Sequence, residues 1–105
     1  MYKGKENAIT AQKLKESETC IVQGFGQSMT PILKSGQSVI AEPVKEDTPL
    51  NKGDIVLCKV NGYFYLHKIL AVKNNKTYQI GNNHGHVNGW VSRNSIYGKV
   101  SEILP

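Results

Sequence analysis

What this chain lacks narrows its class before any motif is read. No apolar run approaches the about 20 residues that span a bilayer, which excludes an integral helical membrane protein. The N-terminal Met-Tyr-Lys-Gly-Lys-Glu-Asn leads into no apolar core of a secretory signal, so the expected compartment is the cytoplasm. The two cysteines, Cys20 and Cys58, have neither metal-ligand spacing nor the density of a disulfide scaffold, and read as reduced, partly buried thiols. Apolar residues are sparse at 39%, and 10 Gly with 4 Pro in 105 residues argue against a helical bundle. The length suits one domain with one modest core. Carboxylates are missing in an uneven way. Asp54 is the last acid before Glu102, so Ile55 to Ser101 carries none.

That acid-free stretch holds Lys59, Lys68, Lys73, Lys76, Arg93 and Lys99, and the whole chain has a net charge of +5. The cations are scattered and no recognition helix accompanies them. A solvated, mildly basic surface is therefore expected rather than a nucleic-acid interface.

Strand signals dominate what is present. Residues 1–18 read as a polar arm or a short helix over Ala8–Lys15, because Ile9, Ala11 and Leu14 form no clear apolar stripe. A single domain over 19–105 follows. Cys20-Ile21-Val22, Ser38–Val44, Ile55–Val60, Tyr63–Val72, Thr77–Ile80 and Ile96–Leu104 read as strands, with Trp90-Val91 as a possible seventh after a Gly81–Gly89 loop. Asn61-Gly62 between two apolar runs is a strong hairpin signal, and Asn74-Asn75-Lys76 marks a second turn. The expected fold is mainly β: a small antiparallel, barrel-like domain of six or seven short strands with a short N-terminal arm or helix.

Two features carry chemistry. In Gly26-Gln27-Ser28-Met29-Thr30-Pro31 a serine follows a glycine-broken strand, at a turn where a nucleophile is accessible and a substrate backbone can approach. In Leu66-His67-Lys68-Ile69 strand alternation sends His67 and Lys68 to opposite faces, so only one can meet Ser28. His67 titrates near neutrality without help, whereas Lys68 would need burial to lose its proton. Taken separately, each feature is more often structural than catalytic.

Taken together and in this order, they resemble the superfamily of type I signal peptidases and the self-cleaving domains of LexA-type repressors. The resemblance covers roughly Val22 to Val100. Gly26–Pro31 is similar to the Gly-x-Ser-Met-x-Pro box that carries the nucleophile. Leu50–Val56 is similar to the Gly-Asp-Ile-Val block that opens the paired strands. Tyr65–Ile69 is similar to the strand that carries the base, a Lys in bacterial signal peptidases and repressors and a His in archaeal and endoplasmic-reticulum enzymes. Gly81-Asn82-Asn83 … Asn88-Gly89 … Ile96–Val100 is similar to the Gly-Asp-Asn … Asp … Ile-x-Gly-Lys-Val tail.

The resemblance implies a small soluble serine endopeptidase in which Ser28 attacks and His67 is the base. Asn82 or Asn88 stands where His-type members carry supporting acids, and either could orient the imidazole without stabilising its charge. The substrate it implies is an extended peptide or protein segment, or the chain's own Ala8–Ala11 arm, with a small residue at P1. The substrate would lie against Val22, Gly24, Phe25 and Gly26, with Met29 beside them. Gly26 brings no hydroxyl, so an oxyanion would depend on backbone N–H groups, chiefly that of Ser28. No cofactor or metal is expected, and His84 and His86 read as solvent-facing. The same departures raise an alternative: a catalytically silent peptide-binding module, such as an adaptor or regulatory factor of phage or plasmid origin.

Overall fold

The computed structural model describes residues 4–105. Helix α1 (Gly4–Lys15) precedes seven strands: β1 (Cys20–Gln23), β2 (Ser38–Pro43), β3 (Ile55–Val60), β4 (Tyr63–Lys73), β5 (Thr77–Gly81), β6 (Val87–Ser92) and β7 (Ile96–Ile103). All pairings are antiparallel, in the order β1-β2-β7-β3-β4-β5-β6, and the sheet curls into a half-barrel. The fold is therefore mainly β with one short N-terminal helix.

Local chemistry explains the turns. Asn61 and Gly62 adopt φ of 50° and 87°, and Asn74 and Asn75 adopt 54° and 55°. These left-handed pairs suit Asn and Gly: Asn61-Gly62 forms a two-residue hairpin between Val60 and Tyr63, and Asn74-Asn75 with Lys76 joins Lys73 to Thr77. The β3 sequence Ile-Val-Leu-Cys-Lys-Val is almost continuously apolar because the strand is buried on both faces. Leu57 joins one core cluster with Val22, Met29, Val39 and Leu66, whereas Val56, Cys58 and Val60 join another with Ile69, Tyr78 and Ile80.

The helix is longer than the sequence suggested, and its docking explains why its stripe was obscure. Among its described side chains Asn7, Ala11 and Leu14 are buried, spaced i, i+4, i+7, and the first of them is polar. Ile9, the strongest apolar residue there, is 53% exposed. Leu14 sits over Gly98 of β7, where an added Cβ would lie 2.7 Å from Leu14 Cδ1 and 3.2 Å from Ala41 Cβ. A bare backbone at this point lets the helix approach the sheet.

Strand β6 begins earlier than the sequence suggested, at Val87. Its Asn88-Gly89 is a poor strand former, and Gly89 has φ +149°. Backbone pairing with β5 overrides that local preference, with an irregularity between Ile80 and Gly81. This extension carries Asn88 into the ordered sheet. No helix among the described residues is long and apolar enough to cross a membrane.

Candidate active site

The turn that carries Ser28 is built by two anchors and one kink. Beyond β1 the ladder continues through Gly24, whose N–H donates to Gln37 O and whose carbonyl accepts from Gly36 N–H. Gly26 then turns with φ +101°, a conformation that disfavours any side chain, and its N–H donates to Ser35 Oγ. Met29 and Leu33 plunge into the core, joined by a one-turn bond from Leu33 N–H to Met29 O of 2.8 Å. With its successor buried, Ser28 is held half-buried at the rim.

His67 approaches from β4. It pairs directly across from Val56, and its side chain is only 3% exposed. Its Nε2 lies 3.2 Å from Ser28 Oγ, and its Nδ1 lies 2.7 Å from Asn88 Oδ1 on β6. Because the amide oxygen of Asn88 accepts, Nδ1 carries the proton of the neutral ring. Nε2 then presents its lone pair to the serine hydroxyl. Burial pushes the His67 pKa down to about 4, and the Asn88 hydrogen bond opposes that fall. The imidazole is thus neutral at physiological pH.

The 82–84 segment braces the Ser28 turn. Asn82 does not reach His67: its Oδ1 accepts from the N–H groups of His84 and His86 and shapes the loop before β6. Asn83 N–H donates to Ser28 O at 2.8 Å, and its Nδ2 donates to Thr30 O at 3.0 Å. Lys68, on the other face of β4, donates from Nζ to Asn83 Oδ1 at 2.8 Å. His84 is exposed, yet its Nε2 donates to Gln27 O at 2.9 Å and lies 3.1 Å from Thr30 Oγ1. Sequence reasoning passed over Asn83 and left His84 to solvent. An Asn-Asn-His run in a glycine-rich loop signals a turn, and only the tertiary fold shows what the turn touches.

A second residue passed over is Tyr65, two positions before His67 on the same face of β4. Its ring stacks on the imidazole with centroids 4.9 Å apart and planes inclined by 27°. Of the residues expected to meet a substrate, Val22, Gly24 and Met29 are buried, Met29 fully and within the core. Phe25 and Gly26 are exposed beside Ser28. β1 is an edge strand, and among the described residues no strand pairs with its outer side.

The cysteines do not join this cluster. Burial raises the Cys58 thiol to about 12, which leaves it inert, and both cysteines are free. Among the described residues no three His, Cys, Asp or Glu gather as a metal site. No curated protein matches the chain. A family model, Peptidase S24-like, matches residues 3–100. That match runs from the docked helix through the Ser28 turn, the β4 histidine and most of β7, and the chain belongs to the Peptidase S24-like family.

Proposed function

We propose that the protein is a serine endopeptidase acting through a Ser28–His67 pair oriented by Asn88. One observation carries this reading: the chain Ser28 Oγ, His67 Nε2, His67 Nδ1, Asn88 Oδ1, with gaps of 3.2 and 2.7 Å. Ser28 Oγ bonds to the scissile carbonyl carbon while its proton passes to Nε2. The imidazolium then delivers that proton to the leaving amine. Water hydrolyses the acyl-enzyme by the same route. The developing oxyanion is met by backbone N–H groups of the turn, chiefly that of Ser28.

The substrate in this reading is an extended segment added to the open edge of β1 near Phe25 and Gly26. A separate polypeptide suits it better than the chain's own arm. Ala8–Ala11 is helical within α1, and Ala11 is buried, so cleavage there would first unwind the helix. The test is hydrolysis of peptides with small P1 residues by wild type, Ser28→Ala and His67→Ala. Each substitution is expected to lower kcat/KM by about 10³-fold or more. Equal rates in all three would overturn the mechanism.

A silent binding module is the second reading, and the neutral amide of Asn88 favours it. Peptide capture separates the two. A peptidase should retain its substrate longer as Ser28→Ala than as wild type, whereas a pure binder should show no difference.

A further inference from the structure

His67 must become a cation if it serves as the base, and among the described residues no group within hydrogen-bond reach of it is an anion: its ring nitrogens meet the Ser28 hydroxyl and the Asn88 amide. Its Nδ1 partner is an amide, Asn88. No Asp or Glu occurs between Ile55 and Ser101, the stretch that contains β4, β5, β6 and the loop before β6. From that loop His86 opposes the charge when protonated. Lys68 lies on the far face of β4 and is bound to Asn83. The nucleophile turn offers the serine hydroxyl. The imidazole is only 3% exposed, so bulk solvent screens its charge little. An uncompensated buried charge of this kind is costly.

One group is placed to meet that charge. The Tyr65 ring is stacked on the imidazole at 4.9 Å and 27°. This is within the about 6 Å at which an aromatic face attracts a cation. The negative quadrupole of that face favours imidazolium over imidazole.

We propose that Tyr65 is a positioning residue whose ring face takes the place of the missing carboxylate, stabilising the His67 imidazolium formed when Ser28 gives up its proton. The proposal rests on the Ser28–His67 reading given above. It assigns the effect to the π face and not to the phenolic hydroxyl. It also accounts for a site that keeps a histidine base without an acid behind it.

The experiment measures the His67 pKa by NMR titration of its ring carbon-bound protons. All proteins carry Ser28→Ala, so turnover does not interfere. Tyr65→Phe keeps the face and should restore the pKa of the Tyr65 protein. Tyr65→Leu removes the face and should lower the pKa by roughly 0.5–1. In Ser28-containing enzyme the same Leu substitution should slow hydrolysis by about 3- to 10-fold, with the acidic limb displaced to match. Because Leu also alters packing, a second series places phenylalanine and its stepwise fluorinated analogues at position 65. Fluorine drains the ring face while nearly preserving shape, so the pKa should fall with each added fluorine. A pKa that is constant across the fluorinated series, or equal in the Leu and Phe proteins, overturns the proposal. Absence of hydrolysis in wild type overturns the peptidase reading instead, and the titration still decides the role of Tyr65.

Discussion

An imidazole held neutral by burial is ready to accept a proton but accepts it weakly. Burial of His67 sets its pKa near 4, so the base-competent form is complete well below neutrality. Activity is therefore expected to be half-maximal near pH 4 and flat through pH 7, as a pH profile of kcat/KM would show. A limb rising above pH 8 and abolished by Lys68→Ala would instead identify Lys68 as the base. Its Nζ is engaged by Asn83 and its face of the strand is the wrong one. Asn88 offers the complementary test. Asn88→Asp puts an anion against Nδ1 and should raise the His67 pKa by about 1–3, moving the acidic limb upward by the same amount. Asn88→Ala leaves the tautomer undirected and should cost up to ~10⁴-fold in kcat/KM, the loss that a wrong tautomer brings in a serine triad. Equal profiles for wild type and both variants would remove Asn88 from the site.

Elements were legible wherever local chemistry and tertiary demand agreed. The β3–β4 hairpin could be read directly, since Asn61-Gly62 supplies the turn and β-branched runs flank it. Strand β6 was only partly legible because its pairing is held by the backbone of β5 while its own residues favour a loop. The face of α1 was hidden by Asn7, a polar residue at a buried position. The candidate site divides in the same way. Ser28 and His67 stand out only when their two motifs are read jointly and in order, and the choice between Asn82 and Asn88 as the partner of Nδ1 depends on where β6 starts. The stacking of Tyr65 follows from strand alternation and was available in principle, yet an aromatic two residues from a histidine is usually core packing. Helix docking supplies the prediction at this scale. Leu14→Ala should destabilise the fold by about 2–5 kcal/mol, since Leu14 is fully buried on the sheet. Gly98→Ala should also destabilise it, because its methyl would overlap Leu14. Urea unfolding measures both. If Gly98→Ala is neutral in the wild-type background, the proposed close contact does not limit packing.

For the molecule as a whole, the buried histidine couples the site to acid stability. Its pKa is about 4 in the folded protein, against ~6.5 in an unfolded chain. Between these values the unfolded state binds the proton and the folded state does not, so stability rises with pH across the window. The contribution is complete above about pH 6.5 and fades as pH falls towards 4, where up to about 3 kcal/mol has been lost. That is a large part of the roughly 5–15 kcal/mol that holds a small domain together. Urea unfolding at pH 7, 5.5 and 4 measures this loss, and His67→Gln isolates it. The substitution keeps a polar side chain on β4 but cannot titrate, so its stability should change less between pH 7 and 4 than that of wild type. The difference between the two proteins cancels every other titrating group. Parallel curves would mean that His67 is protonated as readily in the folded state as in the unfolded one. The imidazole would then be far better hydrated than its 3% exposure implies, and the low-pH plateau expected for catalysis would be lost with it.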